Sequence, residues 1–205
     1  MHGQPDMPFL FVGNHPALDF VNTQLMANGQ PIDLLTTYSD LVTWMVQARL
    51  AGKDEENTLR RQAGEAKSAQ TVERARMFRN ALRKMVERIA SSTSIPEEAI
   101  RSINEMLRYR MGYPQLTRRK GKIERAFQAH SREDWLLGLL AEAASDLLCT
   151  CDLSLIKKCQ NPDCVLFFYD TTKNHARHWC SMSLCGNRSK VAAHYHRHRR
   201  PSRLH

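Results

Sequence analysis

The sequence predicts an α+β protein that is mainly α. A helical N-terminal domain with one small β-hairpin (1–152) precedes a small C-terminal module built on four cysteines and a basic helix (153–205). Three observations predict this. Apolar residues recur at three- and four-residue intervals through much of the stretch from Tyr38 to Leu147, the repeat of helices with one buried face. Around Gly121 the repeat gives way to alternation, as in paired strands. Finally, Cys159, Cys164, Cys180 and Cys185 form two Cys-x4-Cys pairs with fifteen residues between them.

In chain order, Ala17-Leu18-Asp19-Phe20-Val21-Asn22-Thr23 mixes apolar with small polar residues. Asp19, Asn22 and Thr23 are candidates for a ligand pocket, and the three-residue spacing of Asp19 and Asn22 suits capping and satisfying buried backbone equally well. Leu41, Trp44, Met45 and Leu50 give a helix from Tyr38 to Leu50, with Gly52 as its expected stop. A longer helix is expected over Thr71–Ala90, carrying Val72, Ala75, Phe78, Leu82, Met85 and Ile89 on one face. Its arginine-rich remainder is expected to be solvated and paired with nearby glutamates. Ser94 and Pro96-Glu97-Glu98 open another helix, whose stripe of Ile100, Ile103, Leu107 and Met111 ends near Gly112. Leu116, Ile123 and Phe127 lie in two short strands, 115–120 and 122–129. Ser131 with Asp134 caps a last long helix that buries Leu136, Leu139, Leu140, Ala143 and Leu147.

Each cysteine pair can present two thiolates from a short knuckle, and the intervening loop lets the second knuckle fold back onto the first. The product is one tetrahedral four-sulfur zinc site. With every position filled by protein, the metal is structural. Disulfides are the weaker reading, because all six cysteines cluster at 149–185 of an otherwise ordinary globular sequence. Cys149 and Cys151, one residue apart, read as free thiols, and His175 or His178 could substitute for a ligand only if a pair were incomplete. Residues 165–170 read as a strand, and Phe167, Phe168, Tyr169 and Trp179 as the small core against the metal. Gly186 is expected to allow an unusual backbone turn, and Asn187 to cap a basic helix running to about Arg199.

The net charge of +9 is uneven, since residues 157–205 hold 10 Lys/Arg against 2 Asp/Glu. Six of the nine histidines lie there too. Such a concentration favours a polyanion, most simply DNA. At 100° per residue Lys190, His194 and Arg197 share a stripe for phosphates, opposite Val191, Ala192 and Tyr195. Arg188 falls on the second side, where pairing with Asp170 or a carbonyl competes with ligand contact. Arg199, Arg200 and Arg203 extend the positive tail, while Arg177, Asn174 and His178 are candidate donors to base edges. No apolar stretch is long enough to span a bilayer and no signal-like start is present, so the expected setting is the cytoplasm, without membrane attachment.

The run Cys180-Ser181-Met182-Ser183-Leu184-Cys185-Gly186-Asn187-Arg188, with Trp179 before it, resembles the CGNR zinc finger. The likeness extends to Cys159, Cys164, Phe168, Asp170, His194 and Arg197, and covers 157–199. His178 stands where that family commonly has arginine. Leu18-Asp19-Phe20-Val21-Asn22-Thr23, followed by Tyr38, Leu41 and Trp44, is similar to the ABATE domain that usually precedes this finger. The resemblance implies a bacterial stress-induced transcription regulator whose N-terminal domain senses an effector.

The leading expectation is therefore a DNA-binding regulator with one structural zinc, a small-molecule effector and association into homodimers. RNA is the nearest alternative, since the same charges would serve it. An enzyme built around Asp19, Asn22 or Thr23 is the alternative from another class, although the chain carries no P-loop, dinucleotide fingerprint or nucleophile–base set.

Overall fold

The computed structural model describes residues 7–62, 64–91, 95–110, 112–119, 121–128 and 131–191. At its centre lies a helix of six residues, α1 (Pro16–Val21). Pro16 needs no N–H partner at the helix start, and the His15 ring accepts from the Ala17 amide. Leu18, Phe20 and Val21 are buried. The chain then forms a hairpin, β1 (Gln24–Ala27) with β2 (Gln30–Asp33), joined by Asn28-Gly29 with φ of 52° and 74°. Two consecutive positive φ angles make the turn whose twist matches antiparallel strands, and Asn-Gly adopts it most readily. The expectations above do not include this hairpin, although its turn dipeptide was visible.

Helix α2 (Tyr38–Gln47) opens on a reciprocal cap. Thr37 Oγ1 accepts from the Asp40 amide while Asp40 Oδ2 accepts from the Thr37 amide. It ends before the expected stop at Gly52. Arg49 takes the left-handed conformation (φ 60°), and the amides of Leu50 and Ala51 return to the Met45 carbonyl. Helix α3 (Lys53–Gln62) was not expected either. Among its described side chains only Leu59 is buried, so no apolar period marks it. Its support is electrostatic, with Asp54, Glu55 and Glu56 in the first turn and Arg60 and Arg61 in the last.

Helix α4 (Glu65–Ala90) begins six residues before the expected Thr71, because its described opening positions face solvent and carry no apolar signal. Helix α5 (Glu97–Leu107) starts at Pro96, with Ala99 and Ile103 buried. Of its expected features, Ser94 and Met111 lie outside the described residues. The hairpin of β3 (Tyr113–Arg119) and β4 (Lys122–Gln128) turns at Gly121 (φ 78°), as expected. Helix α6 (Arg132–Thr150) is capped by Ser131, whose hydroxyl accepts from the Asp134 amide, again as expected.

Side chains from α1, α2, α4, α5 and α6 build one core around Phe20, Trp44, Phe78, Met85 and Leu140, and Ile156 and Phe167 of the C-terminal module belong to it. The arginines of α4 do not form the expected solvated face. Arg79 is 0% exposed and donates to Thr23 Oγ1 (2.9 Å) and to both Asp33 carboxylate oxygens (2.7 and 2.5 Å). Burial works against the Asp33 charge, but Arg79 overrides it and holds that carboxyl below its ordinary pKa. Arg76 Nε donates to the Leu35 carbonyl (2.7 Å). Arg83 donates to the carbonyls of Val21 (2.7 Å), Gln24 (3.1 Å) and Val165 (3.0 Å), and so joins the start of the chain to the module. Helix α4 is covered on more sides than its apolar stripe suggests. Carbonyls at the end of α1, at the start of β1 and in the loops at Leu35 and Val165 draw the long cationic side chains inward.

Candidate metal centre and nucleic-acid interface

After α6, a short 3-10 turn (Leu153–Leu155) leads into β5 (Ile156–Lys158), which pairs antiparallel with β6 (Phe167–Tyr169). The first cysteine knuckle is the connection between these strands. The Cys159 amide donates to the Leu166 carbonyl and the Cys164 amide to the Asn161 carbonyl, both at 2.9 Å. Asn161 is buried, and its Oδ1 accepts from the Asp163 amide, which tightens the bend. The second knuckle is a wide helical turn, Met182–Gly186, capped by Ser181, whose hydroxyl accepts from the Leu184 amide (3.0 Å). The Gln160 amide donates to the His178 carbonyl and ties the two knuckles together.

Four sulfur atoms converge there, all within 4.8 Å of one another and all from buried residues. Cys180 Sγ lies 3.9 Å from Cys164 Sγ and 3.6 Å from Cys185 Sγ. A tetrahedron with metal–sulfur bonds of about 2.3 Å requires sulfur separations of about 3.8 Å, so the donor set fits zinc. Crowding and hydrogen bonding from Cys164, with burial, push the Cys180 thiol far above its ordinary pKa. Burial pushes Cys185 up to about 11, while hydrogen bonds led by Cys180 lower Cys164 to about 5. Four thiolates this close repel one another unless a cation stands between them. Arg188 Nη2 reaches Cys185 Sγ (3.7 Å) and the Cys180 amide reaches Cys159 Sγ (3.4 Å), so both neutralise part of the sulfur charge. Cys149 is exposed and Cys151 partly so, and neither belongs to the four-sulfur cluster.

Several expectations change around this centre. Gly186 does not adopt a left-handed backbone; an added Cβ would lie 3.2 Å from Trp179 Cδ1 and 2.6 Å from the flexible end of the exposed Met182, so glycine eases the packing there. Asn187 is not the cap, because residues 187–191 continue as helix directly from the turn that Ser181 caps. Arg188 pairs with a carbonyl, that of Leu184, and not with Asp170. Asp170 is fully buried and accepts from Lys157 Nζ (2.7 Å), the Thr172 amide and hydroxyl, and the Arg177 amide. Despite the cost of burial, those bonds hold its carboxyl well below the usual carboxylate range.

Arg177, expected at the nucleic acid, is a brace instead. Its guanidinium stands 4.1 Å over the Phe168 ring, and it donates to the carbonyls of Trp179 (2.9 Å), Val12 (2.8 Å) and Cys180. Lys190 is exposed on the outgoing helix, as is the backbone-anchored Arg188. Val191, expected on the side away from Lys190, is 54% exposed. His194, Arg197, Arg199 and Arg200 lie outside the described residues.

The proposed ligand residues are also redirected. Asp19 Oδ1 accepts from the Gly13 amide (2.7 Å), and its burial raises the carboxyl pKa to about 6 against the pull of that bond. Asn22 pairs through both side-chain atoms with the Phe167 backbone (2.8 and 2.9 Å), completing the open edge of β6. Thr23 donates to the Phe20 carbonyl and accepts from Arg79. Asn22 thus fastens the seam between the two parts directly, Asp19 holds the Gly13 backbone that meets it, and Thr23 is bonded within the N-terminal part. Gly13 and Asn14 complete the seam: the Tyr169 amide donates to the Gly13 carbonyl (2.8 Å), and Asn14 Nδ2 donates to the Tyr169 carbonyl (3.1 Å). A Cβ on Gly13 would lie 2.9 Å from Asp19 and Leu18, so the close approach demands glycine.

Two family matches account for nearly the whole described chain. Residues 14–150 match ABATE, described as "Putative stress-induced transcription regulator", and residues 156–198 match the CGNR zinc finger. Among curated proteins, none matches the chain. Among the described residues, no helix is long and apolar enough to cross a membrane. The four-cysteine centre is thus one structural zinc site, and the chain belongs to the ABATE family, with a CGNR zinc finger at its C-terminal end.

Proposed function

We propose that this protein is a cytoplasmic transcription regulator, not an enzyme, that binds DNA through its zinc-organised module (153–205) and takes its signal from the N-terminal domain (1–152). The observation that carries the reading is the metal centre itself. It anchors the start of a helix whose exposed side bears Lys190, and His194, Arg197, Arg199 and Arg200 follow in the sequence. Phosphate contacts from that helix supply most of the affinity, so binding falls steeply with salt. The internal bonding of Asp19 Oδ1, Asn22 and Thr23 supports the non-enzymatic reading, since these groups serve the fold.

For sensing, a surface that reaches the finger is a cleft of about 820 Å³ between the β1–β2 hairpin and the finger, lined by Leu10, Leu25, Met26, Cys164, Leu184 and Arg188 among others. An apolar effector seated there would press on the base of the basic helix. Recovery of bound fragments from a random DNA pool, with and without a zinc chelator, tests the function. Metal-dependent enrichment of duplex sequences is expected. Enrichment that survives chelation, or preference for structured RNA in competition, would overturn it.

A further inference from the structure

Far along the chain from the finger, the β3–β4 hairpin carries a second concentration of positive charge. Between positions 118 and 125 stand Arg118, Arg119, Lys120, Lys122 and Arg125, with Glu124 as the one acid. Strand register makes one face explicit: Leu116 lies opposite Arg125, and Arg118 opposite Ile123. Residues two apart on a strand share a face, so these four form a single cross-strand block. Leu116 and Ile123 are 69% and 64% exposed. Arg118, Lys122 and Arg125 are exposed too, and among the described residues none of the three makes an ion pair or hydrogen bond. Among the described residues, no other element packs substantially on the ribbon.

The chain path sets where this ribbon stands. It enters the N-terminal end of α6, while β5 of the finger follows the C-terminal end. Nineteen residues of helix are about 28 Å long at about 1.5 Å per residue, so the two basic elements leave points separated by nearly one turn of duplex DNA, about 34 Å. A two-stranded ribbon is also the right width for a major groove, where apolar side chains can meet thymine methyl groups.

We infer that the β3–β4 hairpin is a second DNA-contacting element, with Arg118 and Arg125 on phosphates and Leu116 and Ile123 against the groove, while Lys122, on the opposite face next to the turn, adds positive charge at the tip. This rests on the proposed function and extends it from one contact to two, joined by a rigid helix. Because the charge is unpaired and the apolar pair uncovered, a polyanion with an apolar floor matches the surface better than water alone does.

The test uses the full-length, zinc-loaded protein and mixed-sequence duplexes of 10 and about 30 base pairs, the longer able to reach both elements. Anisotropy is recorded across a salt series. For Arg118→Ala/Lys122→Ala/Arg125→Ala, affinity for the long duplex should fall about tenfold or more and the salt slope should drop by about 2 to 3, with the short duplex much less affected. A charge-matched control, Lys53→Ala/Arg61→Ala/Arg101→Ala, should leave the slope nearly unchanged. An unaltered slope in the hairpin variant, beside wild-type binding that still depends on zinc and Lys190, overturns the inference and leaves the finger's role standing. Equal losses in hairpin variant and control, or loss of a dimer in sedimentation with DNA binding intact, overturn it as well. Wild-type protein that ignores duplex DNA altogether overturns the proposed function first.

Discussion

Helix α4 and the β3–β4 hairpin are both rich in arginine, yet one draws its cations inward and the other presents them to solvent. In α4, Arg79 and Arg83 neutralise Asp33 and satisfy the carbonyls of Val21, Gln24 and Val165. In the hairpin, Arg118 and Arg125 find no partner among the described residues. Identical side chains therefore serve cohesion in one region and leave a charged surface in the other. What separates them is the supply of unpaired acceptors nearby. Element ends and a loop near α4, at Val21, Gln24 and Val165, offer carbonyls within reach, whereas β3 and β4 bond chiefly to each other.

The finger marks the extreme of cohesion, and removing its metal should have the largest effect. Structural zinc contributes about 10–16 kcal/mol of apparent binding free energy in isolated fingers. Chelation, or Cys180→Ser, should abolish stoichiometric metal and unfold the module, read as lost near-ultraviolet signal from Trp179. Because Ile156 and Phe167 share the N-terminal core, a large fall in the melting temperature of that domain should accompany it. A helical domain that melts unchanged without metal would break the idea of one shared core.

Next in size is the inward arginine. Arg79→Ala leaves Asp33 and Thr23 without their partner inside the fold, and should cost about 2–4 kcal/mol in denaturant unfolding. It should leave the salt slope of DNA binding alone. Arg118→Ala should do the reverse, changing stability by less than about 0.5 kcal/mol. Matching stability losses from the two would erase the contrast between these regions.

A smaller effect than that of Arg79 concerns Asp19, which holds Gly13 at the seam. Burial raises its folded pKa from the ordinary 3.8 to about 6, so between those values the folded state holds more protons than the unfolded chain. Stability from this group therefore rises as pH falls from about 7 to 4, by about 1–3 kcal/mol. His15, whose pKa burial lowers, opposes the trend as it becomes charged. Asp19→Asn should remove the gain while keeping the bond from Gly13, so the difference between variant and wild-type unfolding curves isolates it. A difference that does not vary with pH would show that Asp19 is solvated.

Much of the metal site was legible because zinc ligation demands particular atoms at a short, fixed spacing, and Cys159, Cys164, Cys180 and Cys185 met that demand before any fold was known. The Ser131 cap and the turn at Gly121 were legible for the same reason, being local. Helix α3 was hidden because a solvated helix with one buried residue has no apolar period. The β1–β2 hairpin was announced by Asn28-Gly29 but masked by Pro31 and by short strands. Arg177 and Asn22 could not be assigned from sequence, since both reach partners well over 100 positions away, Val12 for one and Phe167 for the other.

By itself, then, the sequence determined the chemistry of the metal site, the helical character of the first domain and the skewed charge, all of which follow from residue type and near-neighbour spacing. Only tertiary structure decided which polar groups close the seam and which face outward. A buried donor takes whichever acceptor folding brings within about 3 Å, and that proximity is created by packing between distant segments of chain.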